Sequence, residues 1–114
     1  MTGISTHVLD TARGIPTKGM PVRLERQESH EQWRTIGSSH TDQDGRCRQL
    51  LADGEQLSPG TYRLVFDTAT YHSSQGVEAL YPFVNIIFTV RKGETWFHLP
   101  LLLNPYGYTT YRGS

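Results

Sequence analysis

Apolar and polar positions alternate along this chain in short runs, and the residues that break the runs recur at the roughly 10-residue spacing of an all-β sandwich or barrel. The pattern predicts strands over Ile4–Leu9, Pro21–Glu28, Gln32–Ser38, Gly60–Asp67, Phe83–Val90, Thr95–Leu103 and Gly107–Arg112. Breaks fall at Gly14-Ile15-Pro16, Asp44-Gly45, Ser58-Pro59-Gly60 and Lys92-Gly93. The exception to the β pattern is His72–Leu80, where Ser73-Ser74 could cap a short helix that ends before Pro82. No repeat, low-complexity tract or interdomain linker interrupts the series.

Because side chains alternate across a strand, Thr95, Phe97, Leu99, Leu101 and Leu103 are expected on one core face, with Trp96, His98, Pro100 and Leu102 on the other. Tyr62, Leu64 and Phe66 form a second apolar row, opposed by Arg63, Val65 and Asp67. Two such sheets packed face to face make a sandwich. In the last strand neither face reads as core. Its tyrosines, each with a hydroxyl on an apolar ring, suit a subunit contact or a cleft better than an interior.

With 114 residues the chain fits one domain, residues 1–114, and a domain of that size buries roughly 65% of its unfolded surface. Lys plus Arg and Asp plus Glu each total 11, so no net field draws the protein to nucleic acid or to an anionic membrane. The single cysteine, Cys47, excludes an intrachain disulfide and any C-x-x-C site, and suits a reducing compartment. The first residues have neither a basic nor an apolar leader region, no run approaches a membrane span, and the closing Arg-Gly-Ser is not a peroxisomal address. A cytoplasmic protein with flexible Met1–Gly3 is the expectation.

The five histidines, at 7, 30, 40, 72 and 98, contain no His-Glu-x-x-His and no close helical pair, so no metal site is expected. His7 shares a face with Ser5 and Leu9, and His98 with Trp96 and Pro100. Taken singly, each fits a satisfied or solvent-facing histidine. Arg46 follows the turn-forming Asp44-Gly45, which lets its guanidinium project from a strand entrance, while Cys47 points the opposite way as a small hydrophobe. On the residues alone Arg46 fits a solvated arginine, and Tyr111-Arg112-Gly113-Ser114 a frayed end.

Taken together, these segments resemble one family. Ser5-Thr6-His7-Val8-Leu9-Asp10-Thr11 followed by Gly14-x-Pro16 is similar to the opening motif of the transthyretin-related family. Asp44-Gly45-Arg46 resembles its central motif, Phe97–Tyr108 its late strands, and Tyr111-Arg112-Gly113-Ser114 the tetrapeptide that closes its hydrolase branch. The resemblance implies an all-β, prealbumin-like sandwich of two four-stranded sheets with one short helix near His72–Leu80 and an eighth short strand near Cys47–Leu51. It also implies a homotetramer, a dimer of dimers with active sites at the dimer–dimer interface.

The activity implied is cofactor-free hydrolysis of 5-hydroxyisourate, a purine-derived small molecule, to 2-oxo-4-hydroxy-4-carboxy-5-ureidoimidazoline. Carried onto this sequence, the motifs give His7, Arg46, His98 and Ser114 as catalytic, and His7, Arg46, Tyr111, Arg112 and Ser114 as substrate-binding. Either His98 or His7 would be the general base, and Ser114 would act through its hydroxyl or a terminal carboxylate. Gly113 would swing Ser114 inward by virtue of its backbone freedom. The alternative is a carrier of an aromatic ligand in the intersubunit channel, a role in which the fold's relatives lack the matching histidine and tetrapeptide.

Overall fold

The computed structural model describes residues 2–114. Along the chain run β1 (Gly3–Asp10), β2 (Ile15–Pro16), β3 (Pro21–Ser29), β4 (Gln32–His40), β5 (Arg46–Cys47), β6 (Gly60–Phe66), α1 (Thr68–Ser74), β7 (Val84–Val90), β8 (Trp96–His98), β9 (Leu101–Asn104) and β10 (Gly107–Thr110). Every segment expected to be extended contains a strand. Gly3 already belongs to β1, buried, with its N–H donating to the Thr95 carbonyl at 2.8 Å, so the expected flexibility of Met1–Gly3 does not extend to it; Met1 lies outside the described residues.

One sheet is antiparallel in the order β4-β3-β6-β7. The other is built around β1, with β2 and β5 antiparallel to it and β8 and β9 parallel. Val8 identifies which neighbours share a side: its N–H donates to Gly45 O at 2.7 Å and its carbonyl accepts from Thr17 N at 2.9 Å. The opposite edge of β1 receives Leu99 N on Ser5 O at 3.0 Å and gives Thr11 N to Leu103 O at 2.8 Å. Six short strands therefore fill four positions, β2 with β5, then β1, then β8 with β9, then β10, which is the four-position sheet the resemblance implies.

Pro100 explains why the expected strand Thr95–Leu103 is split, since proline has no N–H to give to a ladder. The carbonyls at the break are satisfied by hydroxyls instead, Thr6 Oγ1 donating to Leu99 O at 2.6 Å and Thr110 Oγ1 to Pro100 O at 2.8 Å. The face assignment holds for Phe97, Leu99, Leu101 and Leu103, all buried, whereas Thr95 precedes β8 and is exposed. Tyr62, Leu64 and Phe66 oppose them from β6. Each of the apolar side chains at these positions contributes about 1.5–3 kcal/mol by leaving water.

The helix is displaced from its expected place. It spans Thr68–Ser74 rather than His72–Leu80, and Asp67, not Ser73-Ser74, caps it by accepting from Thr70 N at 3.1 Å. Tyr71 then holds the helix to the end of β1 through a 2.7 Å hydrogen bond to the buried Asp10 carboxylate. The short strand expected over Cys47–Leu51 begins one residue earlier, at Arg46–Cys47, and is shorter: Leu50 N still donates to Ile4 O of β1 at 2.8 Å, but by Ala52 the chain has turned to β4, where Ala52 N donates to Ile36 O at 3.0 Å.

That loop crosses β4 at Gly37. A bulge in the β3–β4 pairing, Leu24 facing Gly37 and Glu25 facing Thr35, leaves Ile36 as the extra residue. A Cβ on Gly37 would stand 1.6 Å from the Leu50 carbonyl oxygen. Gly37→Ala should therefore cost at least about 2 kcal/mol, the scale of overpacking a closed interior, read as a lowered urea midpoint with unchanged m-value. A midpoint equal to that of the parent would mean that the loop does not need this contact.

Candidate functional site

β1 carries two populations of side chains. Ile4, Thr6, Val8 and Asp10 point into the sandwich and are buried, so Ser5 and His7 stand on the outer face of the sheet. Register then brings the other candidates to them. Ser5 pairs with His98 across the parallel β1–β8 ladder, and His7 pairs with Arg46 across the antiparallel β1–β5 ladder. Four residues separated by up to 93 positions in sequence thus come to one surface.

The turn before β5 fixes Arg46. Asp42 accepts from Arg46 N at 2.9 Å and from Asp44 N at 2.9 Å, and these amides, Arg46's first, hold its carboxyl below the usual range. The neighbouring Cys47 pairs with Thr6 and turns into the core, where burial pushes its thiol up to about 11 and leaves it unsuited as a nucleophile.

A cavity of about 230 Å³ opens on this face, with Ser5, Arg46, Arg48, Trp96, His98 and Ser114 in its wall. A second concavity, of about 470 Å³, lies over β3, β4 and β6 and gathers Arg23, His40 and Asp67. It brings together none of the candidates, and size alone does not make it the site.

The two histidines are held differently. His7 Nε2 lies 2.8 Å from the Asp44 carbonyl oxygen, which can only accept, so Nε2 carries the proton and the lone pair of the neutral ring is on Nδ1. His98 Nδ1 lies 2.8 Å from Ser5 Oγ. Burial, then the positive charge of Arg46, then His7, push the His98 imidazole below its ordinary value, so it rests neutral near pH 7.

The last residues run along β8. Arg112 is engaged away from the cavity: its guanidinium donates to Glu94 Oε2 at 2.9 Å and to the Trp96 carbonyl at 3.1 Å and lies 4.2 Å over the Phe97 ring. Tyr111 is exposed and is not part of the cavity wall. Gly113 donates its N–H to His98 O at 2.7 Å, and a Cβ there would stand 2.7 Å from His98 Cδ2. Its φ is not positive. Glycine is needed for close approach to the histidine ring rather than for an unusual backbone angle, and Ser114 then reaches the wall.

Of the residues expected from the sequence, the cavity wall holds Arg46, His98 and Ser114, while His7 stands beside Arg46 outside that wall; the wall adds Ser5, Arg48 and Trp96, which were not expected there. The signal for Ser5 and Trp96 was present in the alternation that put them on the faces of His7 and His98. Arg48 shares the face of Arg46 by the same count. Among the described residues no group of three His, Cys, Asp or Glu side chains could hold a metal ion, and no helix is long and apolar enough to cross a membrane.

A 5-hydroxyisourate hydrolase of Mus musculus is 50% identical over 112 residues, covering 97% of this chain and 94% of the mouse protein. The structure of Klebsiella pneumoniae 5-hydroxyisourate hydrolase superposes with a TM-score of 0.85 at 32% identity, covering 99% of this chain and all of that one. Sea bream transthyretin in complex with thyroxine superposes with a TM-score of 0.88 at 27% identity, covering 97% and 94%. The model of the HIUase/Transthyretin family matches residues 4–113, and the chain belongs to that family.

Proposed function

We propose that this chain hydrolyses 5-hydroxyisourate to 2-oxo-4-hydroxy-4-carboxy-5-ureidoimidazoline in urate breakdown, with the outer-face cavity of the β1 sheet as its active site. The observation that carries the reading is His98, a neutral imidazole whose Nδ1 is engaged by Ser5 and whose Nε2 has no hydrogen-bond partner among the described residues, in the wall of a cavity that also holds Arg46. The mouse relative, half identical over nearly its whole length, carries the name of that hydrolase. Carriage of an aromatic ligand without turnover is the weaker reading, since the transthyretin bound to thyroxine shares the fold at only 27% identity and one fold can host either role.

In this mechanism His98 Nε2 takes a proton from water as the oxygen attacks the ring carbonyl. The Arg46 guanidinium, always charged and presenting a planar fork of donors, holds the oxyanion that forms. When the tetrahedral intermediate collapses, the C–N bond breaks and the proton on Nε2 passes to the departing ring nitrogen. The sum is one water added. His7, with its Nε2–H spent on the Asp44 carbonyl, keeps Nδ1 as an acceptor beside Arg46 at the margin of the cavity, and Ser114, next to His98 in the wall, binds substrate. Arg112 acts through its hold on Glu94 and Trp96, setting the path of Gly113 and Ser114.

A homotetramer, a dimer of dimers that closes this face against another subunit, completes the proposal, together with a cytoplasmic location. Its support is the exposure of Tyr106, Tyr108 and Tyr111, together with a cavity of about 230 Å³ that opens on the outer face of the β1 sheet. Such amphipathic rings are enriched where protein surfaces meet.

His98→Asn should lower kcat by about a hundredfold or more, the scale of a lost general base, with the melting temperature nearly unchanged; the decay of freshly generated hydroxyisourate in the ultraviolet reads it. Near-normal turnover in the folded variant would remove His98 from the mechanism. Arg46→Lys should fold normally yet lose activity, because a point charge replaces two directed bonds. A melting-temperature loss in proportion to the activity loss would instead make Arg46 structural.

The third expectation concerns pH. Protonating the base abolishes its function, so turnover falls as pH drops, and because the His98 imidazole sits below its ordinary value the fall should come below about pH 6.5. A profile flat through that fall, measured on enzyme shown to be folded, would contradict a histidine base.

A further inference from the structure

His98 is gripped on two edges, and only one of its nitrogens is left over. Ser5, just 6% exposed, sits opposite it in the β1–β8 register with Oγ 2.8 Å from Nδ1. Ser5 is itself immobilised, its carbonyl accepting from Leu99 N at 3.0 Å on the residue after His98. On the other edge of the ring, Gly113 approaches Cδ2 so closely that a Cβ would stand 2.7 Å from it. A flip of the ring would put Cδ2 in place of Nδ1 opposite Ser5 Oγ and lose that hydrogen bond.

A hydroxyl beside Nδ1 can either donate or accept, and the two choices have opposite consequences. If Ser5 donated, Nε2 would carry the proton and have no lone pair for water. If Ser5 accepts, the proton is on Nδ1 and Nε2 is the base. We propose that Ser5 is a positioning residue that accepts a hydrogen bond from His98 Nδ1–H and so holds the tautomer whose Nε2 lone pair faces the cavity.

The chemistry of the partner also matters. A carboxylate in this place would stabilise the imidazolium, as the orienting group of a catalytic triad does. A neutral hydroxyl orients the ring without adding negative charge. The base then stays unprotonated in a cavity whose other charged side chains, Arg46 and Arg48, are cations. Ser5 accordingly supplies direction, while the surroundings supply the protonation state.

The inference rests on the reading of His98 as base, and its test separates the two. Long-range ¹H–¹⁵N correlation spectra of the full chain report which imidazole nitrogen bears the proton. The parent protein near neutral pH is expected to show His98 with Nδ1 protonated and Nε2 bare. Ser5→Ala should shift the ring toward the Nε2–H tautomer that a free histidine favours in water. It should lower kcat roughly tenfold, the scale for lost support of a site residue, with KM little changed, because ground-state binding does not use the tautomer. Ser5→Thr, which keeps the hydroxyl, should restore both tautomer and kcat.

A parent spectrum with Nε2 protonated, an unchanged tautomer and kcat in folded Ser5→Ala, or a folded Ser5→Thr that fails to restore them would overturn the inference. If Ser5→Ala did not fold, the parent spectrum would still decide. Should His98→Asn remain active while the parent spectrum is as expected, the base assignment fails, and with it the catalytic consequence of the Ser5 contact.

Discussion

The pairing of β1 on both of its edges is the constraint on which the site depends. Its Ile4 and Val8 are fully buried, and side chains of that kind each contribute about 1.5–3 kcal/mol by burial. A slip of one residue would carry them to the surface and drive Ser5 and His7 into the core, where an imidazole or hydroxyl without a partner costs about 1–3 kcal/mol. The hydrophobic effect on one face of the strand therefore fixes the polar residues on the other. Because β8 lies parallel on one edge and β5 antiparallel on the other, the same register that seats Ile4 sets Ser5 against His98 and His7 against Arg46.

The charge balance of that face decides what it can bind. The cavity wall holds Arg46, Arg48 and His98, with no Asp or Glu side chain. The nearby Asp42 spends its carboxylate on the amides of its own turn. An electron-rich ring with several carbonyls suits such a place, and so does the oxyanion formed when one of them is attacked. Burial, then the charge of Arg46 and then His7 work against protonation of His98 in the same place.

Much of this was legible in the alternation of the chain, for physical reasons that differ from element to element. Phe97, Leu99, Leu101 and Leu103 were assigned to the core because a period of two survives the Pro100 break. The helix was misplaced because Asp67 reads equally well as the end of an apolar strand and as an N-cap, and only Tyr71 meeting the buried Asp10 decides between them. The parallel β1–β8 pairing joins residues more than 90 positions apart, and nothing local in the sequence encodes it. Without that pairing, His98 and His7 are two unrelated histidines; the family resemblance supplied what periodicity could not. Gly113 was singled out for its backbone freedom, whereas the requirement is room for the His98 ring.

The proposed chemistry belongs to the outer face of the β1 sheet and not to the larger hollow over β3, β4 and β6. Urate keeps the fused rings and carbonyls of the proposed substrate, so titrating ¹⁵N-labelled protein with it maps the binding face directly. The backbone amide signals of His7, Arg46, Cys47 and His98 are expected to shift together with one binding curve. Shifts confined to Arg23, Ser38 and His40, with the β1 face unmoved, would contradict it.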